Sequence, residues 1–258
     1  MNRLHLFSLL FIACLQGAIV NCSDVISRDK KDIKILVLNI ASDDYPVYME
    51  LEKLWRSYMH YDPEHVECYF IRGNPNLLTD YEILGDTIWS KTSESFVPGI
   101  LNKTILSMEA MLPRMKEFDY VVRTNLSTFF IFPRLLKFLE TAPKSNFYNG
   151  VIGTRYSWVS GGAIVMSTDI AELFIKNKEF FIGNTSTADD LVMAFFITSK
   201  KINFTSHERA DFYSIGMWNA NKNNISDTVF DFRIKNTYHH LRLSEDVFIY
   251  SELLKMFY

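Results

Sequence analysis

The stretch Phe118-Asp-Tyr-Val-Val-Arg-Thr-Asn-Leu-Ser-Thr-Phe-Phe130 decides the fold and locates a candidate site. Its run Tyr120-Val121-Val122 is β-branched and aromatic, which is typical of a central strand covered on both faces. Polar side chains follow where such a strand should end: Arg123, Thr124, Asn125 and Ser127. Because ligands of open α/β sheets bind beyond the carboxyl ends of the strands, we predict a binding site at these residues.

The chain before this stretch has the pattern of a strand–helix–strand unit. Residues 32–41 are almost continuously apolar, which predicts a first buried strand. Apolar residues then recur at helical spacing up to about His60, and residues 67–71 predict the second strand. A short strand is expected within residues 80–89, and a helix over about residues 98–116.

Strand and helix signals also alternate after the central stretch. Helices are predicted at residues 134–141, 170–177 and 187–196, and strands at 150–153 and 161–167. From about Asp211 the sequence is aromatic and polar without a clear period. The pattern as a whole predicts a single α/β domain with a Rossmann-type mixed sheet flanked by helices.

Charge and the N-terminus limit the choice of partners and compartment. A formal net charge of −3 gives no reason to expect nucleic acid as a partner. A basic head followed by an apolar stretch predicts a signal peptide over residues 1–22, which leaves a domain over residues 23–258. The alternative is an uncleaved signal anchor, in which case the protein would be bound to a membrane. Both place the domain in the lumen of the secretory pathway or outside the cell. Five glycosylation acceptor patterns agree: Asn102, Asn125, Asn184, Asn203 and Asn224.

A series of short motifs resembles the β-1,3-galactosyltransferase and Fringe-like glycosyltransferases of the GT-A fold. The motifs occur in one order: Glu82-Ile-Leu-Gly-Asp86, Glu94-Ser-Phe96, Leu101-Asn-Lys103-Thr104, Asp119-Tyr-Val-Val122, Gly161-Gly162 and Asp189-Asp190-Leu191. The resemblance covers roughly residues 33–210. It implies a GT-A-like fold and an enzyme of hexosyltransferase type. Such an enzyme uses a nucleotide-diphosphate sugar, with a uridine one expected, and a glycan or glycoprotein acceptor.

The donor site implied by the resemblance lacks the acidic residues of the family. The family binds Mn²⁺ and the donor diphosphate with an acidic motif after the central strand, and the matching positions here are Asn125, Leu126 and Ser127. Neutral amide and hydroxyl ligands hold a divalent ion weakly, so we expect metal dependence to be reduced or absent. Arg123 could supply positive charge to the diphosphate instead. His207 matches the segment that provides the family with a histidine metal ligand.

The resemblance also assigns the base and the acceptor side. One carboxylate of the pair Asp189-Asp190 would act as the base in an inverting transfer, with Asp190 preferred and Asp189 second. Gly161-Gly162 looks like the glycine-rich segment beside the acceptor, and Trp158 could stack on a sugar.

Each of these residues also has a structural interpretation. The two aspartates are also favoured in a first helical turn, Arg123 could pair with a nearby acid, and a glycan on Asn125 would block the site. A catalytically silent GT-A-like binding or scaffolding domain is therefore the main alternative to an enzyme. An unrelated hydrolase ranks last, because the sequence has no Gly-x-Ser-x-Gly motif.

Overall fold

The computed structural model describes residues 33–153, 158–182, 184 and 186–258. The predicted signal peptide, residues 1–22, lies outside the described residues. Residues Ile33–Tyr258 form one compact unit. Among the described residues, no helix has the length and apolar character that a membrane crossing requires.

A mixed β-sheet forms the centre of the unit, and within the described residues it has eight strands. They are β1 (Ile35–Ile40), β2 (Val66–Gly73), β3 (Tyr81–Leu84), β4 (Thr87–Ser90), β5 (Tyr120–Asn125), β7 (Tyr148–Gly153), β8 (Trp158–Ser167) and β9 (Phe204–Thr205), in the order β3-β4-β2-β1-β5-β8-β7-β9. Strands β4, β2, β1 and β5 are parallel, whereas β8 is antiparallel to β5. The predicted α/β class with a mixed sheet is confirmed.

Helices cover both faces of this sheet. They are α1 (Pro46–Tyr58), α2 (Gly99–Met111), α3 (Phe132–Leu139), α4 (Thr168–Lys176), α5 (Lys178–Ile182), α6 (Asp189–Ser199), α7 (Ile215–Asn221) and α8 (Arg242–Phe257). Strand β1 is apolar except at Asn39, because alternate residues enter different cores. Ile35 and Val37 pack on one side, and Leu36 and Leu38 on the other.

Two predicted elements have different bounds for local reasons. Residues 80–89 form a hairpin rather than one strand, because Gly85 takes the left-handed conformation (φ 58°) that a tight turn requires. The helix expected up to Lys116 ends as an α-helix at Met111. Pro113 lacks the N–H that would continue it, and residues Leu112–Glu117 form a 3₁₀ turn.

The sequence stretch 118–130 belongs to two sheets. Strand β5 runs through Asn125, the chain turns at Leu126-Ser127, and Thr128–Phe130 form β6. Among the described residues, β6 pairs with β11 (Asp231–Ile234), which also pairs with β10 (Ala210–Phe212). The polar end of this stretch, where the strand was expected to stop, is therefore a junction between sheets.

The C-terminal segment, for which no period was found, is ordered secondary structure. Helix α8 packs against α1, and the hydroxyls of Tyr58 and Tyr250 lie 3.0 Å apart. The Tyr250 hydroxyl also donates to the carbonyl of Thr128, at 3.3 Å. The segment thereby closes over β6 and brings β11 beside the carboxyl end of β5.

Candidate functional site

A cavity of about 480 Å³ opens at the carboxyl ends of β1 and β5. It is bounded by the start of β8, the start of α6 and the end of β11. Side chains of both charges and several aromatic rings line it: Ile40, Ser42, Asp44, Tyr45, Tyr48, Glu94, Ser95, Phe96, Ile100, Lys103, Arg123, Asn125, Leu126, Ser127, Trp158, Ser160, Gly161, Gly162, Asp189, Asp190, Arg233 and Lys235. The position is the one expected for ligands of an open α/β sheet.

The structure brings most of the predicted site residues to this cavity. Eight of them line it: Arg123, Asn125, Ser127, Trp158, Gly161, Gly162, Asp189 and Asp190. Thr124 is fully buried beneath the wall, where its hydroxyl donates to the carbonyl of Gly162 at 2.7 Å. Thr124 therefore supports the wall and does not reach the cavity.

His207 lies away from the residues that line the cavity. Its Nε2 is 3.0 Å from a carboxylate oxygen of Asp231, and its Nδ1 is 2.5 Å from the side-chain oxygen of Asn149. Both ring nitrogens are therefore occupied by protein partners. Within the described ranges, no group of three or more His, Cys, Asp or Glu side chains is arranged to hold a metal ion.

Arg123 and Asp189 form a buried ion pair in the cavity wall. Their side chains are 3% and 6% exposed, and the Arg123 guanidinium also donates to the carbonyl of Gly161. Arg123 was predicted to face a diphosphate, but the structure gives it the alternative role of partner to an acid. Asp189, the second candidate for the base, is held by the same contact.

Asp190 is the carboxylate of the pair that has no cation partner among the described residues. One of its oxygens accepts from the backbone N–H of Gly161 at 3.1 Å, and the other from that of Leu191 at 3.0 Å. Burial, followed by the nearby charge of Asp189, raises the pKa of Asp190. A carboxylate with a raised pKa beside a cavity has the properties of a general base.

Gly161 is the point where the charged groups of the wall meet. A Cβ atom at this position would lie 2.6 Å from a guanidinium nitrogen of Arg123 and 3.2 Å from a carboxylate oxygen of Asp190. At Gly162 it would lie 2.8 Å from Arg209. Gly161 thus allows Arg123 and Asp190 to approach the backbone of β8 closely, and Gly162 allows the same for Arg209.

Asn125 and Ser127, the polar residues at the positions where the resemblance led us to expect an acidic motif, are both hydrogen-bonded to arginines. The guanidinium of Arg233 donates to the side-chain oxygen of Asn125 at 2.5 Å, and that of Arg242 donates to the Ser127 hydroxyl at 2.9 Å. The amide nitrogen of Asn125 donates to the carbonyl of Gly161 at 3.0 Å. The side chain that would carry a glycan therefore makes contacts inside the site.

Arg233 and Lys235 are cavity residues that the sequence analysis missed. Arg233 stands opposite Thr128 in the register of β11 and β6, which places it beside Asn125. Burial, followed by the charges of Arg209 and Arg242, lowers its pKa to about 10. The pKa of Lys235 is also lowered, first by burial and then by Arg233. Arg233 and Lys235 are two residues apart, a spacing that places side chains on the same face of an extended chain. This spacing was the sequence signal that could have indicated a pair of cations at the site.

Glu94 and Lys103, from two of the motifs in the ordered series, support the far side of the cavity. The Lys103 ammonium donates to Glu94 at 2.6 Å and to the carbonyl of Ala41 at 2.8 Å, and its side chain is 1% exposed. Burial lowers the pKa of Lys103, which the neighbouring Glu94 opposes. This pair joins the end of β1 to α2 and so fixes the rim of the cavity.

The comparison with solved structures bears on the fold. No protein-family model matches the sequence, and a search of curated proteins finds no relative. Among solved structures, the chain is similar to a glycosyltransferase involved in the glycosylation of the major capsid of PBCV-1. The TM-score is 0.50 at 9% identity, over 84% of this chain and 98% of that one. The catalytic domain of Drosophila beta1,4galactosyltransferase 7, in complex with xylobiose, has a TM-score of 0.41 at 12% identity, over 80% and 73% of the two chains. The fold is thus a glycosyltransferase-type, GT-A-like α/β fold.

Proposed function

We propose that this protein is a glycosyltransferase of hexosyltransferase type. It takes a nucleotide-diphosphate sugar, with a uridine donor expected, and transfers the sugar with inversion to a hydroxyl of a glycan or glycoprotein. The GT-A-like fold and the ordered motifs that resemble the Fringe-like family support this proposal. The observation that carries it is Asp190, an unpaired carboxylate with a raised pKa at the cavity.

Asp190 acts as the general base. It removes the proton from the acceptor hydroxyl as that oxygen attacks the anomeric carbon of the donor. The bond between this carbon and the phosphate oxygen breaks, and the electron pair stays on the leaving diphosphate. Desolvation suits Asp190 to this task, because a base with a raised pKa binds the transferred proton more strongly.

Asp189 and Arg123 are positioning residues in this mechanism. The charge of Asp189 raises the pKa of Asp190, and Arg123 holds Asp189 in place. The guanidinium of Arg123 also donates to the carbonyl of Gly161, whose N–H donates to Asp190. The pair therefore fixes the backbone on which the base depends.

The aromatic residues of the cavity suit the two organic parts of the substrates. Tyr45 and Phe96, which are 54% and 69% exposed, stand on the β1 side and can cover the nucleoside. Trp158 lines the cavity at the start of β8 and can stack on the acceptor sugar. The donor thus extends across the carboxyl ends of the strands, with its anomeric carbon toward Asp190.

The compartment follows from the N-terminal sequence in this proposal. A lumenal or secreted enzyme meets both nucleotide sugars and glycoprotein acceptors, and a retained signal anchor would fix the same domain to the membrane. Asn125 would carry no glycan, because its amide nitrogen is bonded to Gly161 inside the site.

A silent GT-A-like binding domain is the second candidate. The observation that favours it is the replacement of the acidic motif by Asn125 and Ser127, both of which are bonded to arginines. Such a domain would bind nucleotide sugars and leave them intact.

Donor turnover separates the two candidates. The purified protein is titrated with a panel of nucleotide sugars by calorimetry, and release of nucleotide is then assayed with mono- and disaccharide acceptors. The proposal predicts binding and release for one donor, with a product whose anomeric configuration by NMR is opposite to that of the donor. Binding without release for every acceptor would favour the silent domain, and no binding to any donor would refute both.

A further inference from the structure

The residues at the expected metal position do not fit a divalent cation. Mn²⁺ prefers carboxylate oxygens, but the positions that match the acidic motif are Asn125 and Ser127. The side-chain oxygen of Asn125 already accepts from Arg233 at 2.5 Å and from the backbone N–H of Ser127 at 3.1 Å. The Ser127 hydroxyl accepts from Arg242. A metal ion bound here would therefore lie against two guanidinium groups.

The side of the cavity around Arg233 and Lys235, here called the basic wall, carries more positive charge than the carboxylates beside it neutralise. Three arginines near Arg233 each have a carboxylate partner: Arg123 with Asp189, Arg209 with Asp211, and Arg242 with Asp246. Arg233 and Lys235 form no ion pair with any carboxylate in the part of the chain that the structure describes. Both line the cavity, so an anion in the cavity can reach them.

We propose that Arg233 and Lys235 form an anion site that binds the diphosphate of the donor in place of a metal ion. Only the nature of the complete donor rests on the proposed function, because the site can be tested with pyrophosphate alone. Arg233 offers a planar pair of N–H groups that suits two phosphate oxygens, and Lys235 adds a mobile charge. In the transfer, the electron pair left on the departing phosphate oxygen develops beside these cations.

The surroundings of Arg233 agree with a site that is completed by an anion. Its guanidinium donates to Asn125 at 2.5 Å and to the Thr128 hydroxyl at 3.4 Å, and both partners are neutral. These contacts orient the guanidinium toward the cavity without neutralising it. Burial, followed by the charges of Arg209 and Arg242, lowers the pKa of Arg233 to about 10, and the charge of Asp211 opposes this shift.

Calorimetric titration with inorganic pyrophosphate and with UDP tests the site. The full chain is compared with Arg233→Met, Arg233→Lys and Lys235→Met, each in EDTA and in Mn²⁺. Lys116→Met is the matched control, since Lys116 is exposed and precedes β5, at the opposite end of that strand from the cavity. We expect binding of both probes in EDTA, weakened about tenfold to a hundredfold in Arg233→Met and less in Lys235→Met. Arg233→Lys keeps the charge but not the planar pair of N–H groups, so its affinity should lie between those of the wild type and Arg233→Met, and Lys116→Met should retain all of the affinity.

The outcomes separate this inference from the proposed function. Pyrophosphate binding that is abolished by EDTA and restored by Mn²⁺ would overturn the inference while leaving glycosyl transfer possible. Unchanged affinity in Lys235→Met and in a folded Arg233→Met would also overturn it. If Arg233→Met gives no cooperative thermal transition, the pyrophosphate affinity of Lys235→Met alone tests the inference, because Lys235 is exposed and its replacement should not unfold the protein. Metal-free pyrophosphate binding that depends on both cations, in a protein that turns over no donor, would support the anion site and refute the transferase.

Discussion

The two walls of the cavity differ in the sign of the charge on the side chains that have no ion-pair partner among the described residues. On the wall formed by Arg123 and the start of α6, here called the acidic wall, Arg123 neutralises Asp189 in a buried pair. The carboxylate of Asp190 has no cation partner among the described residues. On the basic wall, Arg209 and Arg242 are paired, while Arg233 and Lys235 have no acid partner among the described residues.

The two walls therefore offer one cavity two kinds of group, a carboxylate without a cation partner and cations without an acid partner. A spare carboxylate can take a proton from an acceptor, and spare cations can stabilise a leaving diphosphate. An inverting transfer needs both groups on either side of the anomeric carbon. In the proposed mechanism these groups come from elements that are distant in sequence: the carboxylate from α6, and the cations from β11 and the residue that follows it.

The largest expected effect comes from removing the spare carboxylate. Asp190→Asn keeps the size of the side chain and one oxygen for the N–H of Gly161 or Leu191, but it cannot accept a proton. We expect kcat for nucleotide-sugar turnover to fall roughly a hundredfold to ten-thousandfold. Donor affinity by calorimetry should change little, and a large loss of affinity with unchanged kcat would argue against the role of base.

Breaking the neutral pair on the same wall should cost stability. Arg123→Met leaves the charge of Asp189 buried without a partner, and we expect a loss of about 3–5 kcal/mol in the free energy of unfolding in urea. The double variant Arg123→Met with Asp189→Leu should recover much of this loss. Arg114→Met is the control, because its pair with Glu67 is 43% and 33% exposed and should contribute about 0–1 kcal/mol. Equal losses in the two single variants would contradict the buried pair.

A methyl group added at Gly161, between Asp190 and the Arg123–Asp189 pair, should lower the stability by less than the loss of the pair does. In Gly161→Ala the new Cβ would lie 2.6 Å from the guanidinium of Arg123, which must move, at a cost of about 1–3 kcal/mol. Gly216→Ala in α7 is the matched control, since its nearest neighbour would be 3.8 Å away. Thermal denaturation of both variants compares them. A Gly161→Ala protein as stable as the control would show that the wall is looser than described.

The pH dependence of turnover should report the raised pKa of Asp190. Burial and the charge of Asp189 favour the protonated form, which cannot act as a base. Activity is therefore present at high pH and lost as the pH falls through this raised pKa, by about tenfold in kcat/KM for each further unit. The inflection should lie above the ordinary aspartate value of about 3.9. An inflection below that value would assign the base to another group.

The sequence allowed the parallel part of the sheet and the acidic wall to be predicted. Strands β1 and β5 are buried on both faces, so their apolar runs are nearly continuous and easily recognised. The ordered motifs then led us to assign Gly161 and Asp190 to one site, and both line the cavity. In contrast, β11 has four residues and lies beyond Asp211, where no helical or strand period was apparent.

The pairing of charges could not be predicted in the same way. Arg123 was expected at the diphosphate, with a nearby acid as its alternative partner, and Arg233 was not considered. The sequence does not show which arginine a distant carboxylate contacts. Asp189 is 66 residues from Arg123, and Asn125 is 108 residues from Arg233. The turn at Leu126-Ser127 and the pairing of β6 with β11 place Arg233 beside Asn125, and the position of α6 places Asp189 beside Arg123.

The most direct test of this account is release of nucleotide from the preferred nucleotide sugar in EDTA, with a saccharide acceptor present. Wild type, Asp190→Asn and Arg233→Met are measured side by side. The account predicts steady release by the wild type without metal, release reduced at least a hundredfold in Asp190→Asn, and a raised KM for the donor in Arg233→Met. Release that requires Mn²⁺, or that proceeds equally in wild type and Asp190→Asn, would contradict it.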